Sequence, residues 1–149
     1  MHPLQEAYEE MFRRVPQEVM VTLRFENSRV DANLVYRQLI EFVRLIAKHY
    51  KTRIFGFAVF NCLRHPHMHL LLAGHTVNLR DLPTQTVERL WAFGSAFAKP
   101  CRDSGAALYL ALNITPHADD KWEEFPIGIR LLKKYGVPKN NLKTSKNTI

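Results

Sequence analysis

Residues 19–26, VMVTLRFE, alternate apolar and polar side chains: Val19, Val21, Leu23 and Phe25 point one way, Met20, Thr22, Arg24 and Glu26 the other. A period of two is that of a half-buried strand with a polar face. Residues 31–50 change to a helical period. Asp31 suits the N-cap, and Leu34, Val35, Leu39, Phe42, Val43 and Ile46 form an apolar stripe running to about Tyr50. Residues 53–61, RIFGFAVFN, are apolar on both faces and predict a central strand. A turn around Cys62–Arg64 leads into HPHMHLLL at 65–72, so tightly that the two strands must be antiparallel neighbours. A second helix is expected from Pro83 or Thr84 through about Phe97, with Val87, Leu90, Trp91 and Ala98 inward. KPCR, 99–102, reads as a short edge strand, where proline is tolerated. Asp103 or Ser104 then caps a third helix, SGAALYLALNI, which stops before Pro116. Beyond it, EFPIGIRLLKKYG supports strand and helix equally.

The order strand, helix, strand, strand, helix, short strand, helix suits an α+β fold. An antiparallel sheet would carry its helices on one face and leave the other free for chemistry. A chain of 149 residues with no repeat and no internal linker fits one domain. No apolar run approaches the ~20 residues of a membrane span. The opening MHPLQEAYEEMFRR mixes acids and bases and is no secretory signal. Cys62 and Cys101 have neither metal-ligand spacing nor a disulfide framework, so a cytoplasmic protein is expected.

The net charge of +7 is unevenly placed. Arg130, Lys133, Lys134, Lys139, Lys143 and Lys146 supply six of the seven units, leaving one for residues 1–129. Residues 1–129 therefore read as the domain and 130–149 as a basic tail. Such a tail either grips phosphates or is simply a solvated, disordered end.

His65, His67 and His69 fall at every second position and share one strand face, while Met68, Leu70 and Leu72 share the opposite one. Imidazoles at i and i+2 stand ~7 Å apart, close enough to converge on one cation. The plainer reading is a partly exposed strand whose histidines bond water. Pro66 makes His65 the first residue of the strand and sets it apart from the other two.

HPHMHLLL resembles the His-hydrophobic-His signature of the HUH endonuclease superfamily, which includes rolling-circle replication initiators, conjugative relaxases and single-strand transposases. His67, Met68 and His69 match its central letters, and VMVTLRF, 19–25, is similar to the family's first motif. Tyr109 in GAALYLALN stands where the family carries its nucleophilic tyrosine, so the landmarks span roughly residues 19–115. The resemblance implies a ferredoxin- or RRM-like sheet with a metal site on its open face. It also implies site-specific nicking and joining of single-stranded DNA, as in the replication of a plasmid, virus or other mobile element. His67 and His69 would hold Mn²⁺ or Mg²⁺, and Tyr109 would form a covalent 5′-phosphotyrosine. The partners implied are single-stranded DNA or a DNA hairpin, with a host helicase and polymerase, and no membrane.

This chain departs from the family pattern at two places. Leu112 stands where replication initiators carry lysine, three residues after the tyrosine, and VFNCLR, 59–64, holds no acid to complete the metal site. Asn61, His65 and Glu26 are the candidates for that further ligand. Tyr109 and Asn113 lie one helical turn apart, which makes Asn113 a candidate partner for the phosphate or the tyrosine. Tyr135, beside Lys133 and Lys134, is the reserve nucleophile. Arg24, Arg64, Asn113, Lys133 and Lys134 are candidate DNA contacts.

Tyr109 is also readable as an amphipathic helix residue that packs its ring and exposes its hydroxyl. Two other functions compete with nicking. One is a catalytically weakened descendant of the fold that binds single-stranded DNA. The other is a histidine-triad nucleotide hydrolase, in which His67 would attack a nucleotide phosphorus without a metal.

Overall fold

The structure is a computed structural model that describes residues 1–14, 16–27, 32–61, 65–102 and 105–113. Its elements run α1 (Pro3–Phe12), β1 (Val19–Arg24), α2 (Ala32–Tyr50), β2 (Ile54–Asn61), β3 (His67–Gly74), α3 (Thr84–Leu90), β4 (Ala96–Pro100) and α4 (Gly105–Leu112). The four strands form one sheet in the order β2-β3-β1-β4, each pair antiparallel. Two β-α-β crossovers, β1-α2-β2 and β3-α3-β4, each leave a gap that a later or earlier strand fills. This is an α+β architecture compatible with a ferredoxin-like fold. Among the described residues, no helix is long and apolar enough to cross a membrane.

Alternation decides which side chains meet. Val19, Val21 and Leu23 of β1 face the same way as Met68, Leu70 and Leu72 of β3 and Ala58 and Phe60 of β2. Against them pack Val35, Leu39, Phe42, Val43 and Ile46 of α2, with Val87 of α3 and Trp91 just after it. Leu34, at the margin of the α2 stripe, is only half-buried.

The opposite face departs from the expectation of helices on one side only. Phe57 and Val59 of β2 and Leu71 of β3 pack there against Phe12 of α1 and against Ala107, Leu110 and Ala111 of α4. The physical reason is present in β2, whose odd positions Phe55, Phe57 and Val59 are as apolar as its even ones and must also leave water. The cover over them begins at the N-terminus. Helix α1 opens on a capping box, in which the His2 ring accepts from the Leu4 N–H and the Gln5 side chain accepts from the His2 N–H.

Helix α3 also ends seven residues earlier than its period suggests, at Leu90 rather than Phe97. The Trp91 indole donates to the Arg24 carbonyl at 2.9 Å, turning the chain toward β1. A Cβ at Gly94 would overlap that same carbonyl oxygen, so only glycine allows this close approach. The freed residues form β4, which starts three residues before KPCR and ends on Pro100 at the sheet edge.

Phe12→Ala tests the second layer. The ring is 2% exposed and 5.1 Å from that of Phe57. Its loss should lower unfolding free energy by about 3 kcal/mol, read as a fall in the urea midpoint at unchanged slope. A change below about 0.5 kcal/mol would mean that α1 does not seal this face.

Candidate metal and nucleophile site

Strand register assembles the site before any side-chain contact is considered. In one row, Val59 of β2 faces His69 of β3, which faces Thr22 of β1. In the next, Asn61 faces His67, which faces Arg24. Directly opposed residues share a sheet face, so both histidines lie on the α1/α4 side, at the N-terminal end of β3.

The two rings meet edge to face, with centroids 4.9 Å apart and planes at 81°. They are thus closer than the ~7 Å expected from strand geometry. Each is anchored through Nδ1. That of His67 donates to the His65 carbonyl at 2.7 Å; because a carbonyl can only accept, the neutral ring keeps its lone pair on Nε2. That of His69 lies 3.0 Å from Thr22 Oγ1, with both residues buried. When the ring is the donor there, its Nε2 is also free.

With His69 donating to Thr22, both rings are held through Nδ1 and present Nε2, a fitting donor pair for a divalent cation. Among the described residues, no third His, Cys, Asp or Glu side chain groups with the pair. His65 contributes its carbonyl to orient His67 while its exposed side chain stays outside any such group, and Glu26 does not join it either. Glu26 lies beyond the end of β1, where its N–H bonds to the Phe93 carbonyl. The remaining ligands would therefore come from water or substrate oxygen. The side chain of Asn61, and Arg64, Lys133, Lys134 and Tyr135, lie outside the described residues.

His69 is 5% exposed. Burial, then the positive charges of His67 and Arg24, hold its pKa below the ordinary 6.5, at about 4. It is therefore neutral, as a ligand must be, throughout the physiological range.

Tyr109 arrives from α4. Its ring meets His69 at a centroid distance of 5.0 Å and an angle of 76°, and the residue remains 46% exposed. A tyrosine 40 positions along the chain is thus brought against the histidine pair. Asn113 partners Tyr109 through the backbone: its side-chain amide donates to the Tyr109 carbonyl at 2.9 Å, at the end of α4. Arg24 is exposed at the end of β1, opposite His67.

Thr22 is the site residue that sequence reasoning missed. It stands among the polar positions of VMVTLRFE, but its partnership with His69 is set by register, which no local pattern reports.

The depressed His69 pKa gives a pH test. The unfolded chain takes up this proton first, near pH 6.5, so the stabilisation is fully present above that value and declines as pH falls toward 4. Urea unfolding of the native chain should lose on the order of 2 kcal/mol more between pH 7 and 4.5 than unfolding of His69→Asn. Parallel losses in the two proteins would refute the shift. No family model, no curated protein and no solved structure matches the chain.

Proposed function

We propose that the protein nicks and rejoins single-stranded DNA through a covalent bond to Tyr109, the activity of a replication initiator of a mobile element. The meeting of Tyr109 with His69, itself packed on His67, supports this most. A merely amphipathic tyrosine on α4 has no need to meet an anchored histidine of another element.

Tyr109 Oη attacks the phosphorus. The P–Oη bond forms, the P–O3′ bond breaks, the phenolic proton passes to solvent and the departing 3′-oxygen takes one up. The resulting 5′-phosphotyrosine keeps the ester, so a 3′-hydroxyl can later reverse the step with no nucleotide cofactor. A tyrosine hydroxyl is a weak nucleophile near neutral pH, so the phosphate must be activated. His67 and His69 would hold Mn²⁺ or Mg²⁺, which when bound supplies Lewis-acid polarisation of the phosphate and charge stabilisation at the leaving oxygen. Thr22 and the His65 carbonyl keep the two rings in their ligating orientation. Arg24, beside His67, draws in the DNA backbone. The substrate is single-stranded DNA or a hairpin, with duplex opening and extension left to a host helicase and polymerase.

That no third His, Cys, Asp or Glu joins the pair among the described residues favours one other reading, a descendant that binds single-stranded DNA without cutting it. The same assay separates them. Full-length protein is incubated with labelled hairpin and single-stranded DNA in Mn²⁺, and a denaturation-resistant adduct should appear that Tyr109→Phe abolishes. Binding without an adduct across a pool of hairpins would leave the non-cutting reading in place. Metal-free dinucleotide hydrolysis lost in His67→Ala would instead favour a histidine-triad hydrolase.

Thr22→Val should weaken Mn²⁺ binding by about 10- to 100-fold in isothermal titration, with the fold retained. Unchanged affinity would remove Thr22 from the site.

A further inference from the structure

Among the described residues, no helix packs over the outer part of the histidine face, at Arg24 and Phe97. The cluster under α1 and α4 covers β2 and β3 and reaches Met20 of β1 and Cys101 after β4, whereas Arg24, Phe97 and Lys99 on the same face are exposed. Phe97 opposes Thr22 and Thr22 opposes His69, so the three form one row across the sheet. At about 4.8 Å per strand, Phe97 stands roughly 10 Å from His69.

Packing does not account for a phenylalanine here. Its neighbours Ala96 and Ala98 face the other core, while Phe97 remains 43% exposed. Among the described residues, no aromatic ring packs on it. The strand positions on this face include no Asp or Glu, and Arg24 and Lys99 flank the ring in adjoining rows. An aromatic ring between Arg24 and Lys99, with Glu26 lying beyond the end of β1, matches the chemistry of single-stranded DNA, whose phosphates seek the cations and whose bases stack on the ring.

We propose that Phe97 is a stacking platform for an unpaired base of single-stranded DNA, one or two nucleotides from the phosphate bound at His67, His69 and Tyr109. Arg24 and Lys99 hold the backbone on either side of it. This rests on the reading of the site as a DNA strand transferase.

The test uses the full chain carrying Tyr109→Phe, so that no adduct accumulates, and single-stranded thymidine oligomers containing one 2-aminopurine at successive positions. In this background Phe97→Ala should weaken binding by about tenfold, Phe97→Trp should retain it and Phe97→Leu should not restore it. Quenching of 2-aminopurine at one position should vanish with Phe97→Ala. The salt dependence should be unchanged by Phe97→Ala but fall by about one unit of slope in Arg24→Gln.

Equal affinity of the Phe97→Ala protein would overturn the platform, as would rescue by leucine, which supplies apolar cover without a ring face. Absence of any binding by the parent chain would overturn it too. A shift from dimer to monomer in sedimentation, at unchanged DNA affinity, would assign the surface to a second copy of the chain. The adduct assay on the Tyr109 protein separates the two failures. Stacking without an adduct rejects nicking alone, and an adduct indifferent to Phe97 rejects the platform alone.

Discussion

The hydrogen bond between Thr22 and His69 depends on a register that the rest of the site also requires. Strands β1 and β3 pair so that Val21 meets Leu70 and Leu23 meets Met68 on one face, while Thr22 meets His69 and Arg24 meets His67 on the other. A slip of one residue in β3 would turn both histidines into the α2 core and move Met68, Leu70 and Leu72 to the opposite face, away from α2. The apolar side chains, all fully buried, therefore hold the histidines in place at a distance. The hydrophobic core sets the register, and the register sets the chemistry.

Covering the histidine face has a cost and a consequence. Helix α4 is apolar throughout, GAALYLAL, and buries Ala107, Leu110 and Ala111 while Leu108, Tyr109 and Leu112 remain exposed. Its inner side makes the site dry enough to lower the His69 pKa; its outer side keeps Tyr109 reachable. A sheet open on this face would leave His69 hydrated and closer to its ordinary titration range. The departure from helices on one face is thus what gives the two histidines different environments, half-buried His67 at the strand end and buried His69 one step inward.

Much of this was legible in sequence because local period carries it. The alternation of VMVTLRFE, the stripe of α2 and the two-sided apolarity of β2 each report their element directly, and the histidine spacing puts His67 and His69 on one face. Other features depend on neighbours distant in the chain. Val87, Leu90, Trp91 and Ala98 fit a helical period, yet the chain leaves the helix after Leu90 because Trp91 and Gly94 pack on the backbone of β1. Helix α1 is mostly polar, and its clearest signal was the His-Pro-x-Gln start rather than a stripe. Two-sided apolarity in β2 implied cover on both faces, although it did not say which helices would provide it. Thr22 was visible as a polar residue on the right face, but its role needed the partner strand.

The exposed and buried parts of the histidine face also act on each other. Arg24 is exposed at the end of β1, where in the proposed reading it would attract phosphate, and its charge is one of the influences that disfavour a proton on His69. A phosphate arriving beside Arg24 offsets that charge and, taken alone, would make His69 easier to protonate. Burial is the larger cause of the shift, and it comes from α4 and the sheet rather than from the charge. Bound substrate would add to that burial by excluding more water. His69 should therefore stay neutral if an anion binds, so under the proposed function Arg24 could be neutralised by DNA without costing the histidine its lone pair. Under the proposed function, a separation of recruitment at Arg24 from ligation at the buried His69 would make the two compatible on a single four-stranded sheet.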